Sequence, residues 1–166
     1  MTENRTYKHQ GELVELKFLA RAAELGLQVS KPYGDSAPYD FIVESGGDVF
    51  KVQVKSTRFN DKRCKAFMCA TGGRGRRYRQ EEVDFVAAYV VTDDTWYIIP
   101  LAAIPGRHIS LNPRFQRNKW RIYREAWDLL IPEHRKHWFR KKTIAARARS
   151  ATSLPGMGSA TGCTTS

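Results

Sequence analysis

Between Tyr39 and Thr57 the chain reads YDFIVESGGDVFKVQVKST, and this stretch narrows the folds open to it more than any other. Two β-rich runs, residues 40–44 and 49–55, flank Ser45-Gly46-Gly47-Asp48, the pattern of a β-hairpin with glycines at its tip. A tip at Gly46-Gly47 pairs Phe41 with Val52 and sets Asp40 opposite Gln53. Opposite residues of an antiparallel pair share a face, with Cβ atoms roughly 5 Å apart. Alternation then puts Phe41, Val43, Phe50, Val52 and Val54 on one side, and Asp40, Glu44, Lys51, Gln53 and Lys55 mostly on the other. A carboxylate, an amide and an ammonium converge from two strands. Such a set suits a divalent cation and a phosphate.

The 166 residues suffice for one domain with a substantial core. We expect that domain over residues 1–149, ending in a basic helical extension, and a disordered tail over 150–166, which is small, polar and aperiodic. No run of about 18 apolar residues is present to span a bilayer, and the first residues lack a signal-peptide pattern. Cys64, Cys69 and Cys163 are odd in number and lack CxxC spacing, which fits free thiols and a cytoplasmic setting. His134 and His137 have no cysteine or acidic cluster beside them to complete a zinc pattern.

The net charge of +11 is unevenly spread. Residues 58–80 carry eight basic side chains against one acidic, and residues 107–166 carry thirteen against three. Residues 81–106 carry five acidic and no basic ones. Positive charge confined to two segments marks surfaces that meet a polyanion such as nucleic acid. The candidates for that contact are Arg58, then Arg74, Arg76, Arg77 and Arg79 in a glycine-rich arm, then Arg114, Arg117, Lys119 and Arg121, which are interleaved with Phe115 and Trp120. The arm, TGGRGRRYRQ, is expected to be flexible, with Tyr78 stacking or anchoring it. Its glycines do not form a P-loop, because the terminal Lys-Ser/Thr is absent.

In chain order, residues 1–8 read as loose and residues 9–26 as an amphipathic helix closed by Gly26. At about 100° per residue, Glu12 falls among Leu16, Leu19, Ala20 and Ala23, with Glu15 inside the apolar arc. A carboxylate on a buried face needs a partner, which makes Glu12 a candidate for the site and Glu15 a weaker one. Residues 27–30 are a short strand, and residues 65–70 read as a third antiparallel strand after the hairpin. Residues 83–91 read as a central buried strand and 96–99 as its neighbour, with Asp84 and Asp93 structural. Helices are expected over residues 123–130 and 132–149.

A helix bearing Gly11-Glu12, a hairpin bearing Pro38-Tyr39-Asp40 and Gln53-Val54-Lys55, Tyr78 ahead of Val83-Asp84-Phe85, and Trp96-Tyr97-Ile98-Ile99-Pro100 follow one another in this order. Over roughly residues 8–125 this series resembles the PD-(D/E)XK nuclease superfamily, in particular the small bacterial endonucleases associated with group I introns. The resemblance implies an α/β (α+β) restriction-endonuclease-like core, a central mixed sheet flanked by helices in the order αβββαβ. It also implies phosphodiester hydrolysis with a divalent metal, usually Mg2+, with Mn2+ as substitute. By the same resemblance Asp40 is the metal-binding aspartate, Lys55 the motif lysine, and Glu12 the helix acid of the junction-resolvase-like branch. Gln53 stands where the general motif has Glu or Asp. A neutral amide oxygen is a weaker ligand for a hard cation than a carboxylate, yet glutamine is the expected form in the intron-associated group.

Chemistry leads to the same arrangement. Asp40, the Gln53 amide oxygen and the Val54 carbonyl can hold the metal, Lys55 can position water, and Glu12 can hold a metal water or a second metal. The leading expectation is a homing-type endonuclease cutting specific sites in double-stranded DNA as a homodimer, or a homotetramer by resemblance. A structure-selective junction resolvase and a DNA-binding protein without catalysis are the alternatives.

Overall fold

In the computed structural model, described for residues 2–131 except 35, 59, 62–65 and 74, ten strands follow a single α-helix. The helix is α1 (Thr2–Glu24). The strands are β1 (Gln28–Ser30), β2 (Phe41–Ser45), β3 (Asp48–Thr57), β4 (Asn60–Asp61), β5 (Ala66–Ala70), β6 (Gly72–Gly73), β7 (Arg76–Arg77), β8 (Phe85–Val90), β9 (Thr95–Pro100) and β10 (His108–Leu111). Residues 132–149 and 150–166, expected as helix and tail, lie outside the described residues, as do Cys64, Cys163 and the His134–His137 pair. Among the described residues no helix is long and apolar enough to cross a membrane.

The hairpin forms in the register set by its glycines. Phe41 pairs with Val52, Val43 with Phe50 and Ser45 with Asp48, and the tip residues Gly46 and Gly47 take φ of 59° and 97°, a region that a residue with a Cβ enters at a cost. The main sheet runs β1-β2-β3-β8-β9. All its pairings are antiparallel except β3 with β8, which is parallel. β8, with neighbours on both sides, is apolar throughout and buried from Val86 to Val90, as a strand covered on two faces must be.

One face of this sheet receives α1. Phe18, fully buried, lies 5.3 Å from Phe41, 5.7 Å from Trp96 and 5.5 Å from Trp127 between ring centroids. The buried line of the helix is Val14, Phe18 and Ala22. Leu13 and Leu16 are exposed, as are Ala20 and Ala23. Thus the arc assigned to the core from the sequence is the outer one, and Glu12 within it is exposed. Apolar residues surround this helix on most sides, so periodicity alone does not select which side packs. The helix also begins at Thr2 rather than near residue 9.

The other face carries a core of Phe67, Cys69, Val86, Ala88, Tyr97, Ile99, Ile109, Leu111, Trp120 and their neighbours. A second sheet, β10-β5-β4, supplies part of it. β5 therefore belongs to this sheet rather than extending the hairpin. Among the described residues the crossover from β3 to β8 is built of strands, where the αβββαβ order has a second helix. Burial pushes the Cys69 thiol up to about 12. The helix expected over residues 123–130 is interrupted at Glu125, whose φ is 52°. Its carboxylate accepts from Trp96 N at 2.8 Å and Trp127 Nε1 at 3.0 Å, and two 3-10 segments, Lys119–Tyr123 and Trp127–Leu130, flank it.

Candidate active site

The site arises where β2 stops. Val52 O accepts from Asp40 N at 3.0 Å, so even-numbered residues of β3 turn their backbone polar groups toward β2. Beyond Asp40 there is no β2 left to pair, and the N–H and C=O of Val54 face an open edge. An unpaired backbone polar group there needs a partner. Asp40 Oδ2 accepts from Val54 N at 2.8 Å and also from Gln53 Nε2. The same Gln53 Nε2 lies 3.3 Å from Val54 O. Asp40, Gln53 and the Val54 backbone thus meet at one point, as the hairpin register required.

Gln53 is 7% exposed, so its neutrality matters: a carboxylate in that place would be buried against Asp40. Burial pushes the Asp40 carboxyl above its ordinary value, and the Glu15 charge adds to this. The Val54 N–H, Lys55 and Lys31 pull it back. Glu15 itself pairs with Lys31 Nζ at 2.7 Å. Among the described residues no three His, Cys, Asp or Glu side chains gather into a metal-binding cluster.

The donor set nonetheless fits a hard cation. The partly positive amide NH2 of Gln53 sits between two oxygens, Asp40 Oδ2 and Val54 O. A half-turn about the terminal Gln53 torsion replaces that NH2 with the amide oxygen. Three oxygens, one of them charged, then face a common point, as Mg2+ or Mn2+ requires.

Lys55 is part-buried on the same face as Gln53, with Nζ 5.8 Å from the centroid of the Tyr78 ring. Helix α1 is tied to this end of β3 by Gln10 Nε2 donating to Ser56 Oγ at 3.3 Å. Glu12 lies two residues on in that helix, exposed.

Of the expected polyanion contacts, the arm differs most from expectation. It is a short hairpin, β6 with β7, and it is pinned. Arg76 clasps Glu82 through both guanidinium NH2 groups at 2.7 Å, Arg79 adds a backbone N–H at 3.0 Å and a guanidinium contact at 3.3 Å, and Arg77 donates to Ile104 O at 2.9 Å. The Arg76 guanidinium, then the Arg79 backbone N–H, hold the Glu82 carboxyl down to about 2. Arg74 lies outside the described residues. Arg114 pairs with Asp93 at 2.8 Å, Lys119 lies over the Trp120 ring at 4.6 Å, and Arg58, Arg117 and Arg121 are exposed. Asp84 is structural, its Oδ2 accepting from Lys51 N at 2.7 Å. Reading the sequence missed the Glu82 clasp, although the spacing Arg79-x-x-Glu82 carries it. It also missed the Tyr78 ring beside Lys55, for which no local signal exists.

No curated protein matches the chain. The solved structure of a bacterial homing endonuclease, I-Ssp6803I, superposes with a TM-score of 0.64 at 26% sequence identity, over 89% of this chain and 98% of that one. The profile of the PD-(D/E)XK endonuclease family matches residues 5–130, a span that holds all but the first residues of α1, every strand and every residue of the candidate site. The mixed sheet with its flanking helix is therefore that of a PD-(D/E)XK nuclease fold, and the chain belongs to the PD-(D/E)XK endonuclease family.

Proposed function

We propose that this endonuclease is metal-dependent, with Mg2+ or Mn2+ as the cation, and hydrolyses specific sites in double-stranded DNA in the manner of a homing enzyme. The observation that carries the reading is the meeting of Asp40, Gln53 and the Val54 carbonyl at the open edge of β3, with Lys55 beside them. The likeness to a homing endonuclease supports the specificity. The two basic segments support DNA as the substrate.

Asp40, Gln53 and Val54 O would hold the cation. When bound, it neutralises charge that develops on the phosphate oxygens and leaving group. Lys55 orients the attacking water with its N–H donors and offsets phosphate charge. To Glu12, exposed on α1, falls the holding of a water or a second metal. Arg58, Arg117, Lys119 and Arg121 neutralise backbone phosphates and fix the register of the duplex. One site per chain cuts one strand, so a double-strand cut calls for a homodimer or homotetramer on a near-palindromic target.

One observation favours a second reading. Gln53 donates to Asp40 as a neutral amide, a bond that also suits a DNA-binding protein with no catalysis. Selecting cleaved sites from randomised duplex DNA with Mg2+, beside sedimentation of the chain alone, separates the two. A defined cut site and a species of at least two chains are the expected results. Tight DNA binding without cleavage in Mg2+ or Mn2+ leaves only the second reading.

A further inference from the structure

Among the described residues, Lys55 Nζ makes no hydrogen bond and no ion pair. The group that supports it is the Tyr78 ring, whose centroid is 5.8 Å away. We propose that Tyr78 is the positioning residue for Lys55, holding the ammonium toward the Asp40–Gln53 point with the face of its ring. This rests on the reading of Lys55 as the ammonium that meets water and phosphate.

The choice of an aromatic support has a physical reason. A carboxylate or carbonyl at that place would take up N–H donors that water and phosphate need. A ring attracts the cation through its quadrupole and leaves those donors free.

The β6–β7 hairpin is constructed to deliver the ring. A Cβ on Gly72 would stand 2.4 Å from the Arg76 carbonyl oxygen, and one on Gly73 would stand 2.6 Å from the Tyr78 hydroxyl and 3.0 Å from its ring carbon. Glycine alone admits strand and ring this close. On the far side of the hairpin, Glu82 clasps Arg76 and Arg79, the residues two before and one after Tyr78. Arg107 donates to Gly75 O at 2.7 Å and holds the turn. The ring itself is partly buried against the core that contains Cys69 and Val83. These contacts place a ring, and they consume arginines that a free phosphate-binding arm would have kept.

The test uses the full chain, Mg2+ and duplex DNA selected for cleavage from a randomised pool. It reads the single-turnover rate at saturating enzyme, with DNA affinity measured in Ca2+ and the thermal midpoint alongside. Tyr78→Phe keeps the face and should keep the rate. Tyr78→Leu removes the face, and Gly73→Ala displaces it without touching Tyr78. Both should slow cleavage roughly three- to thirtyfold, the span of a cation–π contact, with DNA affinity unchanged. In a Lys55→Ala background neither should slow it further. A Phe variant as slow as the Leu variant, or the same slowing without Lys55, overturns the proposal. A readout free of catalysis is the NMR shift of the Lys55 ε-methylene protons, identified with Lys55→Arg, which the ring current moves upfield in the wild type. Loss of that displacement in Tyr78→Leu and Gly73→Ala supports the contact, and its persistence overturns it. A wild-type chain that cleaves nothing defeats the nuclease mechanism, while the NMR shift still decides the contact.

Discussion

Gln53 replaces what would be a second buried carboxylate next to Asp40. Burial and the Glu15 charge already push the Asp40 carboxyl up, and a further negative charge a hydrogen bond away would push both groups further. The amide avoids that repulsion and donates to Asp40. Gln53→Glu should therefore destabilise the metal-free protein by about 1–3 kcal/mol, the cost of leaving a buried polar group badly paired, and Mg2+ should restore more of the loss than it adds to the wild type. Thermal unfolding of both proteins with EDTA and with Mg2+ checks this. Equal midpoints in EDTA would contradict it. Glu82 gives a second prediction. Its carboxyl titrates near 2 in the folded chain against an ordinary 4.5, so the unfolded chain binds more protons between those values. The stabilisation is complete above about 4.5 and disappears as pH falls through about 2. The gap in thermal midpoint between wild type and Glu82→Gln should be positive at pH 6 and close toward pH 2.

At the scale of elements, the hairpin was legible and the helix was not, for physical reasons that differ. Two glycines at the tip and a strict alternation fix the β2–β3 register, because a one-residue slip would turn Phe41, Val43 and Val52 out to solvent. The meeting of Asp40 with Gln53 follows directly. In α1, Leu13, Leu16, Leu19, Ala20 and Ala23 compete with Val14, Phe18 and Ala22 for the core, and the outcome is set by Phe18 fitting among Phe41, Trp96 and Trp127. Phe41 and the two tryptophans lie far from Phe18 in sequence, so no local pattern reveals the fit. Phe18→Ala should cost about 3–5 kcal/mol, as removal of a large buried aromatic does, whereas Leu16→Ala, at 61% exposure, should change stability by less than about 0.5 kcal/mol. Chemical denaturation of the two variants distinguishes the inner face from the outer. The pinning of the arm does not show in the charge of its own segment. Its arginines belong to the basic stretch 58–80, and the acid that clasps them, Glu82, belongs to the acidic stretch that follows.

For the whole molecule, the fold brings one end of each strand of the hairpin to an open sheet edge and leaves Arg58, Arg117, Lys119 and Arg121 exposed, while Arg76, Arg79 and Arg114 are occupied by acids. Among the described residues, the basic stretch 58–80 thus shares part of its charge with a neighbouring acid. Legible at this scale were the central strand β8, its neighbour β9 and the mixed sheet. The crossover made of strands was not, since the two-residue pieces β4, β6 and β7 are too short to leave a periodic pattern. The site that this arrangement builds is most directly tested by single-turnover cleavage of a selected duplex in Mg2+, comparing wild type with Asp40→Ala and Lys55→Ala at matched DNA occupancy. Cleavage by the wild type, slowed about 10²–10³-fold in each variant while DNA binding persists, is the expected result. Cleavage by both variants at the wild-type rate would contradict it.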